Sequence, residues 1–200
     1  MQIVESLGGF VPLNLPNILT LLRVACIPLL VLLFYLPMPL STWGAAAVFL
    51  VAAVTDWLDG WLARRSNQMT AFGAFLDPVA DKLIVATALV LLAERFDSSF
   101  ITVSACVVIG REIVVSALRE WMAQLGRRAS VAVTNVAKFK TALQMTAITV
   151  LLTSIPEAVY LPWYWLGEAL LAVAVVLTLW SMVVYLRAFA EVVRETDGEL

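Results

Sequence analysis

The sequence predicts an all-α integral membrane protein of six transmembrane helices, and three observations carry that reading. Of its 200 residues, 62% are hydrophobic and only 14% charged, whereas soluble domains carry roughly a quarter charged and under half apolar residues. Mean hydropathy is +0.94, more apolar character than a soluble domain of this length can hide. The apolar residues also gather into runs of about 20, the length that crosses a bilayer. These features exclude an ordinary cytosolic globule, a disordered chain and a secreted mini-protein.

The spans follow in order. No charged residue occurs between Val24 and Thr55, and Pro37-Met38-Pro39 breaks that stretch in two. A first helix is expected from about Asn17 to Leu36 and a second from Trp43 to Ala63. The third runs from Phe75 to Ala93, the fourth from Phe100 to Gln124, the fifth from Val131 to Ser154 and the sixth from Trp163 to Phe189. Short connectors and small tails point to a single transmembrane domain over residues 1–200. Basic residues set its orientation. Arg64, Arg65, Arg127, Arg128, Arg187 and Arg194 fall on one side, while the other side holds Arg95 beside Glu94 and Asp97. Both termini are therefore expected in the cytoplasm. Met1 to Asn14 show no basic n-region and no Ala-x-Ala site, so a removable signal peptide is not expected. A bacterial inner membrane is the simplest home.

Residue content narrows the chemistry. Histidine is absent, which excludes imidazole catalysis and His-ligated zinc. Cys26 and Cys106 stand far apart in apolar stretches and are expected as buried spacers. Any metal must then be held by oxygen ligands, which favours Mg²⁺, Mn²⁺ or Ca²⁺. No nucleic-acid partner is expected.

Ionisable groups inside spans are costly and demand an account. Asp56, Asp59, Asp77, Asp81, Lys82, Arg111, Glu112, Arg119, Lys138 and Lys140 lie in or at the edge of the expected helices, mostly toward the cytoplasmic end. Crowding at one depth suggests a shared cavity. Asp56 with Asp59, and Asp77 with Asp81, are spaced to share a helical face. At 1.5 Å per residue, Asp56 and Asp81 both stand about 12 Å from the connector between their helices. Carboxylates so placed repel one another unless a cation sits among them, and one or two hard divalent ions would satisfy them. From the charges alone, a cation pathway or a merely solvated acidic face stays open. Gly60, Ala63 and Gly73 are small where helix ends must approach each other or a ligand. Arg64 stands where it can balance charge or hold a phosphate.

The pattern Asp56-x2-Asp59-Gly60-x2-Ala63-Arg64-x8-Gly73-x3-Asp77-x3-Asp81 resembles the signature of the CDP-alcohol phosphatidyltransferase family. Pro16-Asn17-x2-Thr20-x2-Arg23, the segment from Arg111-Glu112 to Trp121, and Lys138-x-Lys140-Thr141 are similar to members that use glycerol-3-phosphate. The resemblance implies a six-helix bundle, often dimeric. It also implies transfer of the phosphatidyl group of CDP-diacylglycerol to sn-glycerol-3-phosphate, giving phosphatidylglycerophosphate and CMP. It implies one or two Mg²⁺ or Mn²⁺ ions held by Asp56, Asp59 and Asp77. Asp81 becomes the base, with metal contact as well. The cytidine diphosphate site falls around Thr55, Asp56, Gly60, Ala63, Arg64 and Gly73.

Chemistry gives these residue types a reason. An alcohol is a poor nucleophile and needs a base to take its proton; without histidine, a carboxylate is the natural one. A dianionic acceptor drawn to membrane depth needs cations, and Arg111, Lys138 and Lys140 are expected on its phosphate. The two lysines point about 200° apart, so one of them makes the direct contact. Arg119 either joins them or pairs with Glu112 or Glu120. Lys82 is expected to face elsewhere, and Glu112 to orient a basic residue. Asn17, Thr20 and Arg23 line one face of the first helix, with Thr20 and Arg23 as phosphate contacts and Asn17 orienting. Trp57 and Trp61 read as interfacial anchors. Three rivals remain: another alcohol acceptor on the same scaffold, a divalent-cation transporter, and a structural membrane scaffold, which would leave the aspartate pattern unexplained. The transporter needs acidic residues through to the far side, where the helices are nearly free of charge.

Overall fold

A computed structural model describes residues 15–66, 71–124 and 135–197, and no strand occurs among them. Six long helices follow in order: α1 (Leu15–Phe34), α2 (Ala45–Ser66), α3 (Ala71–Phe96), α4 (Ser99–Gln124), α5 (Asn135–Leu152) and α6 (Pro162–Asp197). A π-helical turn, Leu40–Gly44, leads into α2, and a 3₁₀ turn, Pro156–Ala158, precedes α6. The break at Pro37-Met38-Pro39 falls between α1 and α2 as expected. The ends differ more. α3 starts before Phe75 and ends after Ala93, and α6 continues past Phe189 to Asp197. Apolar composition marks where a bilayer ends, whereas backbone hydrogen bonding carries a helix on into water. The 67–70 connector, Arg127, Arg128 and the expected start of the fifth span at Val131 lie outside the described residues.

Among the described residues, three stretches are long and apolar enough to cross a membrane: Asn17–Phe34, Ser99–Ala123 and Pro162–Arg187. Leu40–Asp56 and Phe139–Leu152 are shorter apolar stretches. α3 is interrupted by Asp77, Asp81 and Lys82 near one end and by Glu94 and Arg95 near the other. The outer surface is apolar as well, with Leu32, Trp43, Phe75, Val103 and Trp180 all turned outward. The chain is a multi-pass membrane protein.

Packing gives α1 an unexpected place. It lies against both α2 and α3, while those two, consecutive in sequence, touch each other only lightly. α4 packs on α3 and α6, and α5 mainly on α6. The core between them holds Leu30, Phe49, Ile84, Leu89, Val108 and Ile148, with Ala45, Ala46, Ala52 and Ala88 allowing close approach. At the end of α3 opposite its aspartates, the Arg95 guanidinium lies 4.1 Å from the Phe34 ring centre and donates to the carbonyls of Leu152 and Ser41. Cys26 is buried as expected, but Cys106 is exposed on α4. None of the described helices covers that face, and a thiol is apolar enough to meet lipid.

Candidate active site

Asn17, Thr20 and Arg23 form a buried stripe along α1. The Thr20 hydroxyl donates to Asp77 on α3, and the fully buried Arg23 guanidinium pairs with Asp56 on α2 at 3.2 Å. The wedge made by α1 thus ties both halves of the aspartate pattern together. Thr20 and Arg23, expected on the acceptor phosphate, lie against the aspartates instead, because a guanidinium sealed between helices requires a carboxylate beside it. Asp56 stands within Coulombic reach of both Asp77 and Asp81. The side chains of Trp57, Asp59, Trp61, Ala63, Arg64 and Lys138 lie outside those described. Gly73 is buried at the start of α3. Thr55 is buried too, and its hydroxyl donates to the Ala52 carbonyl of its own helix at 2.8 Å.

A cavity of about 230 Å³ opens between α3, α4 and α5. Asp81, Lys82, Glu112, Lys140, Thr141 and Gln144 form its polar lining, and Val85, Val108, Ile109 and Met145 its apolar floor. Among the described aspartates of the pattern, Asp81 alone lines it. Glu112 accepts from Lys140 at 3.3 Å and from Arg111. Lys140 is buried, so this carboxylate fixes where its ammonium stands.

Two cations differ from expectation. Arg111 does not line the cavity; its guanidinium reaches past Glu112 to the Ser181 hydroxyl on α6 at 2.9 Å. Packing of α4 on α6 draws it there, since a buried guanidinium collects the nearest polar groups. Lys82 does line the cavity and donates to the Ser116 hydroxyl, which donates onward to the Glu112 carbonyl at 2.6 Å. Adjacent residues on a helix diverge by about 100°, and a gap between three helices is wide enough to receive both Asp81 and Lys82. Arg119 is exposed, and among the described residues Glu112 pairs with Arg111 and Lys140 rather than with it. Sequence reasoning gave no role to Ser116, which lay within the Arg111–Trp121 segment, and passed over Ser181 and Gln144. Of the last two, only Gln144 carried a signal, standing one turn from Lys140 on the same face.

Residues 13–180 match the profile of the CDP-alcohol phosphatidyltransferase family. The chain belongs to that family. It is 56% identical over 178 residues to the CDP-diacylglycerol–glycerol-3-phosphate 3-phosphatidyltransferase of Escherichia coli K12, covering 88% of this chain and 94% of the relative. Proteins of the same name from Escherichia coli O157:H7 and Shigella flexneri serotype 5b show the same identity and coverage.

As a CDP-alcohol phosphatidyltransferase the chain is an enzyme of a family that generally works with divalent metal ions. The donors present suit such an ion: Asp56, Asp77 and Asp81 offer only carboxylate oxygen from two facing helix ends, with neither imidazole nor thiolate among them. Among the described residues no three acidic side chains converge into a cage by themselves. The donor chemistry fits, and Arg23 and Thr20 hold two of the three carboxylates in place. Asp81 stands at the junction. On one side it meets the field of Asp56, and on the other it faces the cavity with Lys82, Glu112 and Lys140.

Proposed function

We propose that the chain transfers the phosphatidyl group of CDP-diacylglycerol to sn-glycerol-3-phosphate, releasing CMP and forming phosphatidylglycerophosphate. The name shared by its relatives supports this reading, and the position of Asp81 between the aspartate cluster and a cavity bearing cations carries it. Donor diphosphate lies toward Asp56, Asp59 and Asp77, which hold the metal, with Thr55, Gly60, Ala63, Arg64 and Gly73 around the nucleotide. A bound Mg²⁺ or Mn²⁺ neutralises charge on the diphosphate oxygens. The acceptor enters the cavity with its phosphate toward Lys140 and Lys82, and Lys138 and Arg119 are its further phosphate contacts in this reading. Asp81 takes the proton of the attacking hydroxyl as its oxygen bonds to the phosphorus that carries diacylglycerol. The bond from that phosphorus to the CMP oxygen breaks. Arg111 steadies Glu112, which in turn holds Lys140, while Asn17, Thr20 and Arg23 hold the aspartates in register.

All six helices span the bilayer as one catalytic unit in this reading. Both termini and the site face the cytoplasm of a bacterial inner membrane, where a soluble acceptor is available, and small residues in the spans suit a homodimer. The test is CMP release by the purified protein in mixed micelles of CDP-diacylglycerol. Release is expected only with glycerol-3-phosphate present, is lost with chelator and returns with Mg²⁺ or Mn²⁺. Release with a different alcohol instead overturns the acceptor, and release that survives chelation overturns the metal.

A further inference from the structure

Most polar groups of the cavity are already engaged: Lys140 with Glu112, Glu112 with Arg111 and Lys140, and Lys82 with Ser116. Gln144 differs. Its side chain is 95% buried, being 5% exposed, lines the cavity, and makes no hydrogen bond with any described residue. Its carboxamide is not among the sealed, unsatisfied polar atoms of the bundle, so its two donors and its acceptor are open to whatever fills the cavity. It stands one helical turn, about 5.4 Å, beyond Lys140 on α5. At that level its neighbours across the cavity are apolar: Val85 and Ala86 from α3, Val108 and Ile109 from α4.

A charged mouth above one polar group on an apolar floor matches a ligand with phosphate at one end and hydroxyl a few bonds away. We propose that Gln144 determines acceptor specificity by hydrogen bonding the C2 hydroxyl of glycerol-3-phosphate, the hydroxyl that does not react. This rests on the acceptor reading above. An acyl chain is the other shape the floor would admit, but it would leave the carboxamide unmet. An ester carbonyl of the donor lipid could meet it, and the test separates that case. Sites built to hydrogen bond a substrate hydroxyl discriminate strongly against analogues that lack it.

The experiment compares sn-glycerol-3-phosphate with 3-hydroxypropyl phosphate, which lacks only the C2 hydroxyl, using the full chain in CDP-diacylglycerol micelles. Wild type should prefer glycerol-3-phosphate by at least about tenfold in kcat/KM, equivalent to ~1.4 kcal/mol or more. Gln144→Leu and the longer, flexible Gln144→Met should each lose that preference. Their kcat/KM should fall with glycerol-3-phosphate and stay within about twofold of wild type with the deoxy acceptor. The retained activity doubles as proof of folding. Equal loss with both acceptors in both variants, as a donor contact or a packing role requires, overturns the proposal, as does loss with neither. A wild type that uses neither acceptor refutes the activity reading itself, a different result from any of these.

Discussion

Replacing Glu112 with glutamine probes the electrostatic centre of the bundle. One carboxylate there serves two buried cations, Arg111 and Lys140. At the 3.3 Å separation of the Lys140 pair, Coulomb's law with an effective dielectric constant near 20 gives about 5 kcal/mol of attraction. Glutamine keeps the shape and one acceptor but removes the charge, so both cations stay buried and uncompensated. Breaking a buried pair in this way costs about 3–5 kcal/mol. At roughly 2–4 °C per kcal/mol for a chain of this size, Tm in detergent should fall by about 10 °C. Adding Lys140→Met to Glu112→Gln removes one stranded charge and should recover part of the loss, a coupling of at least about 1 kcal/mol between the positions. Thermal unfolding of wild type, both single variants and the double variant measures this directly. A Glu112→Gln variant within about 2 °C of wild type, or strictly additive losses, would refute the reasoning.

Two further predictions concern the aspartates and the glycines. Asp81→Asn should abolish CMP release while CDP-diacylglycerol binding persists. Asp56→Asn should lose both and also lower Tm, because buried Arg23 then loses the carboxylate 3.2 Å away; equal loss of binding in the two variants counts against this division of roles. Gly167 lies where α6 meets α5, and a Cβ there would stand 2.8 Å from Leu151 Cγ and 3.2 Å from Val150 Cγ1. Gly167→Ala should therefore cost about 1–3 kcal/mol by overpacking, since Leu151 is fully buried. At Gly110 a Cβ meets nothing within 4 Å, so Gly110→Ala should gain up to about 1 kcal/mol from helix propensity; opposite signs in a paired melting experiment are the expected outcome.

How far the sequence could be read depended on the kind of information asked of it. Apolar runs located the helices, Pro37-Met38-Pro39 separated the first two, and intramembrane charges marked the end where Asp56, Asp77, Asp81, Glu112 and Lys140 gather. These are local properties: a segment is apolar enough for lipid or it is not. The spacing of the aspartates was equally legible, because residues three or four apart share a helical face wherever the helix lies.

Rotation and neighbourhood were not legible. In a soluble bundle the polar face tells each helix which way to turn, but here lipid is as apolar as the core, so most positions around α1, α4 and α5 read alike. Tertiary packing alone decided that α1 wedges between α2 and α3, which places Arg23 against Asp56 and Thr20 against Asp77. It turned Arg111 toward Ser181 and Lys82 into the cavity, and it left Gln144 facing the cavity floor. The sequence by itself determined a metal-suited set of aspartates in a multi-pass membrane chain. Which cations and which amide share the cavity with Asp81 was decided only by how the six helices pack.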